Sequence, residues 1–219
     1  MAPQRGQRMD GCWRAEHGLR LAPVSFPGYG MPALGAYLLL LSFFLVERRL
    51  RQGQAARSFE AGEHDRRSTV FIGAAFGTGI ACVLLAPALN AHGIGSAIPR
   101  WLAWVGLFVA AGGLTLRIWA PRQLGRFYTR TLRTDARQTV VDEGPYRVIR
   151  HPGYAGVLAL WIGAGLAVGN LPVVVAILVA MLAAYAYRIR AEERMLVATL
   201  GQPYRDYQAR TWRLLPFFF

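Results

Sequence analysis

Two polar clusters in this chain combine residue types and spacings that chemistry can use. One is Gly144-Pro145-Tyr146-Arg147 leading into Arg150-His151-Pro152-Gly153-Tyr154-Ala155-Gly156, and the other is Arg188, Arg190, Glu192, Glu193 and Arg194. A helix opening at Pro152 leaves its first N–H groups without partners, so they join Arg150 and His151 in an anion-binding corner. Pro152 suits that first turn, where its missing N–H costs nothing. Glu192 and Glu193 offer carboxylates to an ammonium or to hydroxyls, and Tyr154 offers an aromatic face. Singly, each has an ordinary reading: Arg150 facing lipid phosphate, His151 at an interface, both acids paired with nearby arginines. The combination is more specific than its members.

The elements that position these groups follow from the pattern of apolar residues. The chain has 219 residues, 54% of them hydrophobic, and five apolar blocks approach or reach membrane-spanning length: Met31 to Val46, Val70 to Leu89, Trp101 to Ala120, Tyr154 to Gly169 and Leu171 to Tyr187. Lipid cannot satisfy the open backbone groups of isolated strands, so the blocks are predicted to be helices of an all-α integral membrane protein. Only Gly169-Asn170-Leu171-Pro172 separates the last two, which predicts a tight hairpin. Each is roughly 25 Å long at 1.5 Å per residue, so its polar ends lie close to the bilayer surface.

No Gly or Pro interrupts Val173 to Leu200, so the fifth helix is expected to continue past the membrane as one rod. Glu192 and Glu193 then stand about one or two turns above the interface. Glu193 falls on the stripe Ile189, Leu196, Val197, Leu200, whereas Glu192 shares its side with Arg188 and Met195. Glu193 is therefore the better inward-facing acid, and an acid in an apolar stripe must find a cationic or hydrogen-bonding partner.

The net charge of +13 arises from arginine alone. These arginines gather at the ends of apolar blocks, a pattern that fits phospholipid headgroups and topology rather than nucleic acid. Six lie between the first and second blocks, seven between the third and fourth, and six after the fifth. By the positive-inside rule those segments are cytoplasmic, and the site with them. Whether the membrane is bacterial inner membrane or endoplasmic reticulum is open. Cys12 and Cys82 supply neither a disulfide framework nor a metal-ligand spacing, and no metal is expected.

Residues 1–30 read as a mobile tail and 31–219 as one membrane domain, with its cofactor-binding half over about 117–219. The arginine and aromatic residues after Gly201 suit a short interfacial helix, with Tyr204 and Tyr207 read as anchors in preference to closing over a ligand, and Phe217 to Phe219 dipping into acyl chains. Gly73/Gly77 and Gly165/Gly169 have the small-xxx-small spacing of close helix packing.

Arg150-His151-Pro152-x-Tyr154-x-Gly156, preceded by Gly144-Pro145-Tyr146-Arg147 and followed by Glu192-Glu193 and Gly201-x-x-Tyr204-x-x-Tyr207, resembles the isoprenylcysteine carboxyl methyltransferases and the related phospholipid methyltransferases. The resemblance runs from about Arg117 to the C-terminus. It implies a multi-helix membrane enzyme that binds S-adenosyl-L-methionine at its cytoplasmic face, through Arg150, His151, Tyr154, Gly156, Glu192 and Glu193. Family members often carry a bulky residue where this chain has Gly153. The residue types fit that cofactor: Arg150 and the helix start for its carboxylate, Glu193 or Glu192 for its ammonium or ribose hydroxyls, Tyr154 as an aromatic face.

The implied acceptor is an isoprenylcysteine-like or other lipophilic carboxylate, small or attached to a protein. Arg117 and Glu193 are the candidate catalytic residues. Arg117, near the cytoplasmic end of the third block, either orients the acceptor or snorkels to headgroups. Membrane lipids are the other partners expected; neither nucleic acid nor an obligate protein partner is. An amine or phospholipid acceptor is the nearest alternative. In a different class, membrane sterol reductases have a similar Arg-His-x-x-Tyr segment and use a nicotinamide cofactor, but usually place Asn where this chain has Gly153. A non-catalytic scaffold would bind neither cofactor.

Overall fold

The computed structural model describes residues 30–50, 66–95, 97–125 and 139–216. Residues 1–29 of the expected mobile tail, Cys12 among them, much of the arginine-rich loops and Phe217 to Phe219 lie outside the described residues. The helices are α1 (Gly30–Leu50), α2 (Arg66–Ala91), α3 (Arg100–Leu124), α4 (Pro152–Ala167), α5 (Leu171–Leu200) and α6 (Gln202–Arg210), with one 3-10 turn at Gly144–Arg147. Among the described residues there is no named strand, in keeping with the all-α expectation.

Four helices, α1, α2, α3 and α5, are long and apolar enough to cross a membrane. Their outward faces carry large apolar side chains such as Leu34, Leu38, Phe108 and Val179, all more than half exposed. A surface of that kind is stable against acyl chains and costly against water. The remaining apolar helix, α4, has 16 residues, a rise of about 24 Å. It packs against α1, α2, α3 and α5, burying Val157, Leu158, Leu160, Trp161, Ala164 and Ala167. The chain thus threads its shortest apolar helix through the middle of the bundle.

Glycine sets how closely that central helix approaches α3. A Cβ on Gly163 would collide with the Gly106 carbonyl oxygen and lie 2.5 Å from Ala110 N, and one on Gly156 would lie 2.7 Å from Arg117 N. Gly106/Gly113 on α3 and Gly156/Gly163 on α4 share a seven-residue spacing and meet in antiparallel order. Backbone contact of this kind replaces the hydrophobic drive that is missing between helices in lipid. The expected packing pair Gly73/Gly77 is different, since nothing lies within 4 Å of a Cβ built on either. A Cβ built on Gly165 would lie 3.3 Å from the Cα of Val174 across the hairpin.

The hairpin turns at Gly169, whose φ of +76° favours a residue without a Cβ. Asn170 then caps α5, its Oδ1 accepting from Val173 N at 3.2 Å. Its Nδ2 donates to Asn90 Oδ1 and Ile94 O at 2.9 and 3.0 Å, tying the turn to the end of α2. At the opposite end of the bundle α5 continues as the unbroken rod the sequence predicts, 30 residues to Leu200. Gly201, at φ +63°, turns the chain into α6. The ends of α1, α3 and α5 and the starts of α2 and α4 therefore share one side, which carries both polar clusters.

Candidate functional site

The 3-10 turn at Gly144–Arg147 brings the chain back to the bundle with Tyr146 buried. Its carbonyl accepts from the buried Tyr207 hydroxyl at 2.7 Å, so α6 is fastened to the segment that precedes the site. Three backbone hydrogen bonds continue this attachment. Trp212 N donates to Val148 O at 3.0 Å, Arg150 N to Trp212 O at 2.7 Å, and His151 N to Arg213 O at 3.0 Å. The C-terminal segment is thus a strap laid along the residues that enter α4. Tyr204 and Tyr207, expected as interfacial anchors, are both buried beneath it.

Pro152 opens α4 as expected, with His151 at the N-cap. Arg150 does not stand open beside that helix start. Its Nε donates to Glu193 Oε1 at 2.9 Å, and its Nη1 donates to Gln208 O at 3.0 Å and to Thr211 O. The other oxygen of Glu193 accepts from Arg213 Nε at 3.0 Å. Glu193 is the inward acid, with a side chain 7% exposed against 25% for Glu192. Two guanidinium groups meet its carboxylate, and the His151 Nε2 lies 3.4 Å from Oε1. A buried carboxylate needs such compensation for its lost hydration.

Glu192 anchors a second set of contacts. Its Oε2 accepts from the Tyr154 hydroxyl at 2.6 Å and stands 4.0 Å from His151 Nδ1. The Tyr154 oxygen also accepts from Arg188 Nε at 3.3 Å, while Arg188 Nη1 donates to the buried Ser68 hydroxyl at 2.8 Å. The rings of His151 and Tyr154 stack at 5.5 Å and 10°, and Tyr185 lies 5.0 Å beyond Tyr154. Four elements therefore converge: the strap, the start of α4, the upper part of α5 and the start of α2. Burial raises the Tyr204 phenol well above its ordinary range, reinforced by the carboxylates of Glu193 and Glu192. Burial likewise pushes Tyr207 up, partly opposed by Arg150.

Of the residues expected from sequence, Arg150, His151, Tyr154, Glu192 and Glu193 come together. Gly156 sits about half a turn beyond Tyr154 on α4, in its backbone contact with α3. Arg117 is buried on α3 rather than reaching outward, and its Nε donates to Glu47 Oε1 of α1 at 2.6 Å. A side chain at position 153 would put its Cβ 2.9 Å from Arg117 Nη1, so this guanidinium borders the motif through Gly153. Glu47, Ser68 and Arg213 were not anticipated. Glu47 had a signal: it is the acid at the end of the first apolar block, and an acid inside a span demands a partner.

Several known proteins share this chain's pattern. Residues 101–203 match the family model described as phospholipid methyltransferase. Protein-S-isoprenylcysteine O-methyltransferase B of Arabidopsis thaliana is 30% identical over 140 residues, covering 63% of this chain and 68% of its own. A probable protein-S-isoprenylcysteine O-methyltransferase of Oryza sativa subsp. indica is 29% identical over 119 residues, covering 53% and 62% respectively. The match thus spans 62% of the rice relative's length. Among solved structures, the eukaryotic intramembrane Ras methyltransferase, an isoprenylcysteine carboxyl methyltransferase, superposes with a TM-score of 0.61 at 26% identity. That likeness covers 90% of this chain and 69% of the other.

Proposed function

The chain belongs to the protein-S-isoprenylcysteine O-methyltransferase family, and from that premise we propose that it transfers a methyl group from S-adenosyl-L-methionine to a lipophilic carboxylate at the cytoplasmic face of a membrane. The observation that carries this reading is the convergence of His151, Tyr154 and Glu192, where α4 and α5 meet beneath the C-terminal strap. The donor set fits the cofactor: a carboxylate for ammonium or hydroxyl groups, and stacked aromatic rings for a cation or a flat base. When bound, that cofactor supplies an electrophilic methyl group on a sulfonium.

The two acids take different parts. Both oxygens of Glu193 are held by Arg150 and Arg213, so this acid braces the strap against α4. Glu192 is the more exposed of the two and meets the ligand together with Tyr154. Arg150 contributes through the same brace, fixing the chain direction at the start of α4. His151 turns its nitrogens toward the acids and its ring face to Tyr154.

An acceptor carboxylate is already ionised near neutral pH, so the protein has to supply orientation and exclusion of water rather than a general base. Arg117 supplies the orientation, since a guanidinium can hold a carboxylate through two parallel N–H groups. Its position beside Gly153 puts it next to the cofactor motif from the α3 side.

Equilibrium binding of S-adenosylhomocysteine and of NADPH to detergent-purified protein tests the cofactor class. Binding of the first alone is expected, and a folded protein that fails to bind it removes the methyltransferase reading. Transfer of labelled methyl to N-acetyl-S-farnesylcysteine and to phosphatidylethanolamine then separates the carboxylate from the amine acceptor. The phospholipid methyltransferase match makes the second arm necessary.

A further inference from the structure

Glu47 is the charged residue that α1 contributes to the buried interior. It lies three residues before the end of that helix with 8% of its surface exposed. An acid at the end of a membrane-spanning helix is costly to bury unless a cationic or hydrogen-bonding partner meets it. The partner is Arg117, whose Nε donates to Glu47 Oε1 at 2.6 Å. Each side chain is 11% exposed, so water screens the pair little.

The atom engaged decides what this pair does. Nε is the guanidinium nitrogen nearest the side-chain stem, and a hydrogen bond there fixes the plane and direction of the group. Nη2 shares an edge of the guanidinium with Nε, whereas Nη1 lies on the other side, beside Gly153 in the cofactor motif. Close backbone contact of α3 with α4 at Gly113 and Gly156 brings the stem of Arg117 to this place. The missing side chain at 153 leaves the room that Nη1 uses.

We propose that Glu47 is a positioning residue, which holds Arg117 by Nε so that Nη1 is aimed past Gly153 at the acceptor carboxylate. This rests on the methyl-transfer reading above. Glu47 itself touches neither acceptor nor cofactor, so it acts only through Arg117. Its removal should therefore harm recognition of the carboxylate while leaving recognition of the lipid chain intact.

The test compares N-acetyl-S-farnesylcysteine with its methyl ester, both binding to protein loaded with S-adenosylhomocysteine. The ester keeps the lipid and loses the charge. Glu47→Ala is expected to weaken binding of the acid by about tenfold, as for one lost charge-assisted hydrogen bond, and to leave the ester within about twofold. Glu47→Gln keeps an oxygen for Nε, and its acid-to-ester ratio should stay within about threefold of wild type. In the Arg117→Ala background, Glu47→Ala should no longer alter that ratio. Should Glu47→Ala not fold, Glu47→Met is close in volume and carries the same comparison.

Equal losses for acid and ester, or an undiminished effect of Glu47→Ala without Arg117, would overturn the positioning role. Wild-type protein that fails to bind S-adenosylhomocysteine overturns the methyl-transfer reading instead, before any variant is compared.

Discussion

Tyr154 and Glu192 join the first turn of α4 to the upper part of α5 through a 2.6 Å hydrogen bond from the phenol to the carboxylate. The two residues are 38 positions apart in sequence, separated by a complete helical hairpin. Both polar clusters owe their proximity to that hairpin: its turn at Gly169 and Asn170 fixes the register at one end, and the tyrosine meets the acid at the other. A site assembled this way depends on helix length as much as on its own residues.

Replacing Tyr154 with Phe removes this hydrogen bond and keeps the ring that stacks on His151. The expected result is a loss of about tenfold in S-adenosylhomocysteine affinity, since the Glu192 carboxylate loses the donor that orients it. Glu192→Gln should weaken binding by at least as much. Isothermal titration in detergent measures both, and circular dichroism should show unchanged helix content.

The brace at Glu193 leads to an ordered pair of stability effects. Arg150 and Glu193 side chains are 8% and 7% exposed, whereas that of Arg213 is 35% exposed. Removing one partner of a well-buried pair costs about 3 kcal/mol, because the other charge stays uncompensated, while an ion pair open to water contributes roughly 1 kcal/mol or less. Arg150→Ala should therefore lower the melting temperature clearly more than Arg213→Ala. The reverse order in thermal unfolding of the purified protein would show that the strap, not the helix start, carries the brace.

Shortening the chain after Arg210 removes Thr211, Trp212 and Arg213 and with them the backbone hydrogen bonds to Val148, Arg150 and His151. The bundle of α1 to α5 does not depend on these contacts, so helix content should persist. Binding of S-adenosylhomocysteine should fall below detection, because His151 and Arg150 lose what holds them in direction. Retention of affinity in the shortened protein would remove the strap from the site.

Much of this arrangement can be read along the chain wherever the governing interaction is local. Pro152 marks the start of α4 because only a first turn tolerates it, and the absence of Gly and Pro from Val173 to Leu200 marks a continuous rod. Glu193 is legible as the inward acid because its helical stripe is apolar. The ion pair of Glu47 with Arg117 joins residues 70 positions apart, and no local period links them. The strap is illegible for a similar reason. Its arginine and aromatic residues suit a membrane interface equally well, and only the fold decides that Tyr204 and Tyr207 turn inward.

Glycine spacing shows the same limit and gives a direct comparison. Gly73→Ala adds a methyl group where nothing lies within 4 Å, and should be neutral or stabilise α2 by up to about 1 kcal/mol through helix propensity. Gly163→Ala adds the same group against the Gly106 carbonyl, where backbone must move, and should destabilise by about 1 to 3 kcal/mol. Thermal unfolding of the two variants separates a spacing that merely recurs from one that packs.

Tyr204 supplies a test by pH. Burial and the two acids raise its phenol above the ordinary value, so on folding the group holds its proton more tightly than it does in the unfolded chain. The sign follows from proton counts. Below about pH 10 both states keep the proton and stability is unaffected; above it the unfolded chain loses the proton first, and stability falls as pH rises toward the folded value. Tyr204→Phe removes this dependence while keeping most of the buried surface. Its melting temperature should decline less steeply than that of the wild type above about pH 10, with the two curves parallel from pH 7 to 9. An identical alkaline slope in both proteins would mean that the Tyr204 hydroxyl reaches solvent, and the strap would then lie too loosely over α4 to shield a ligand from water.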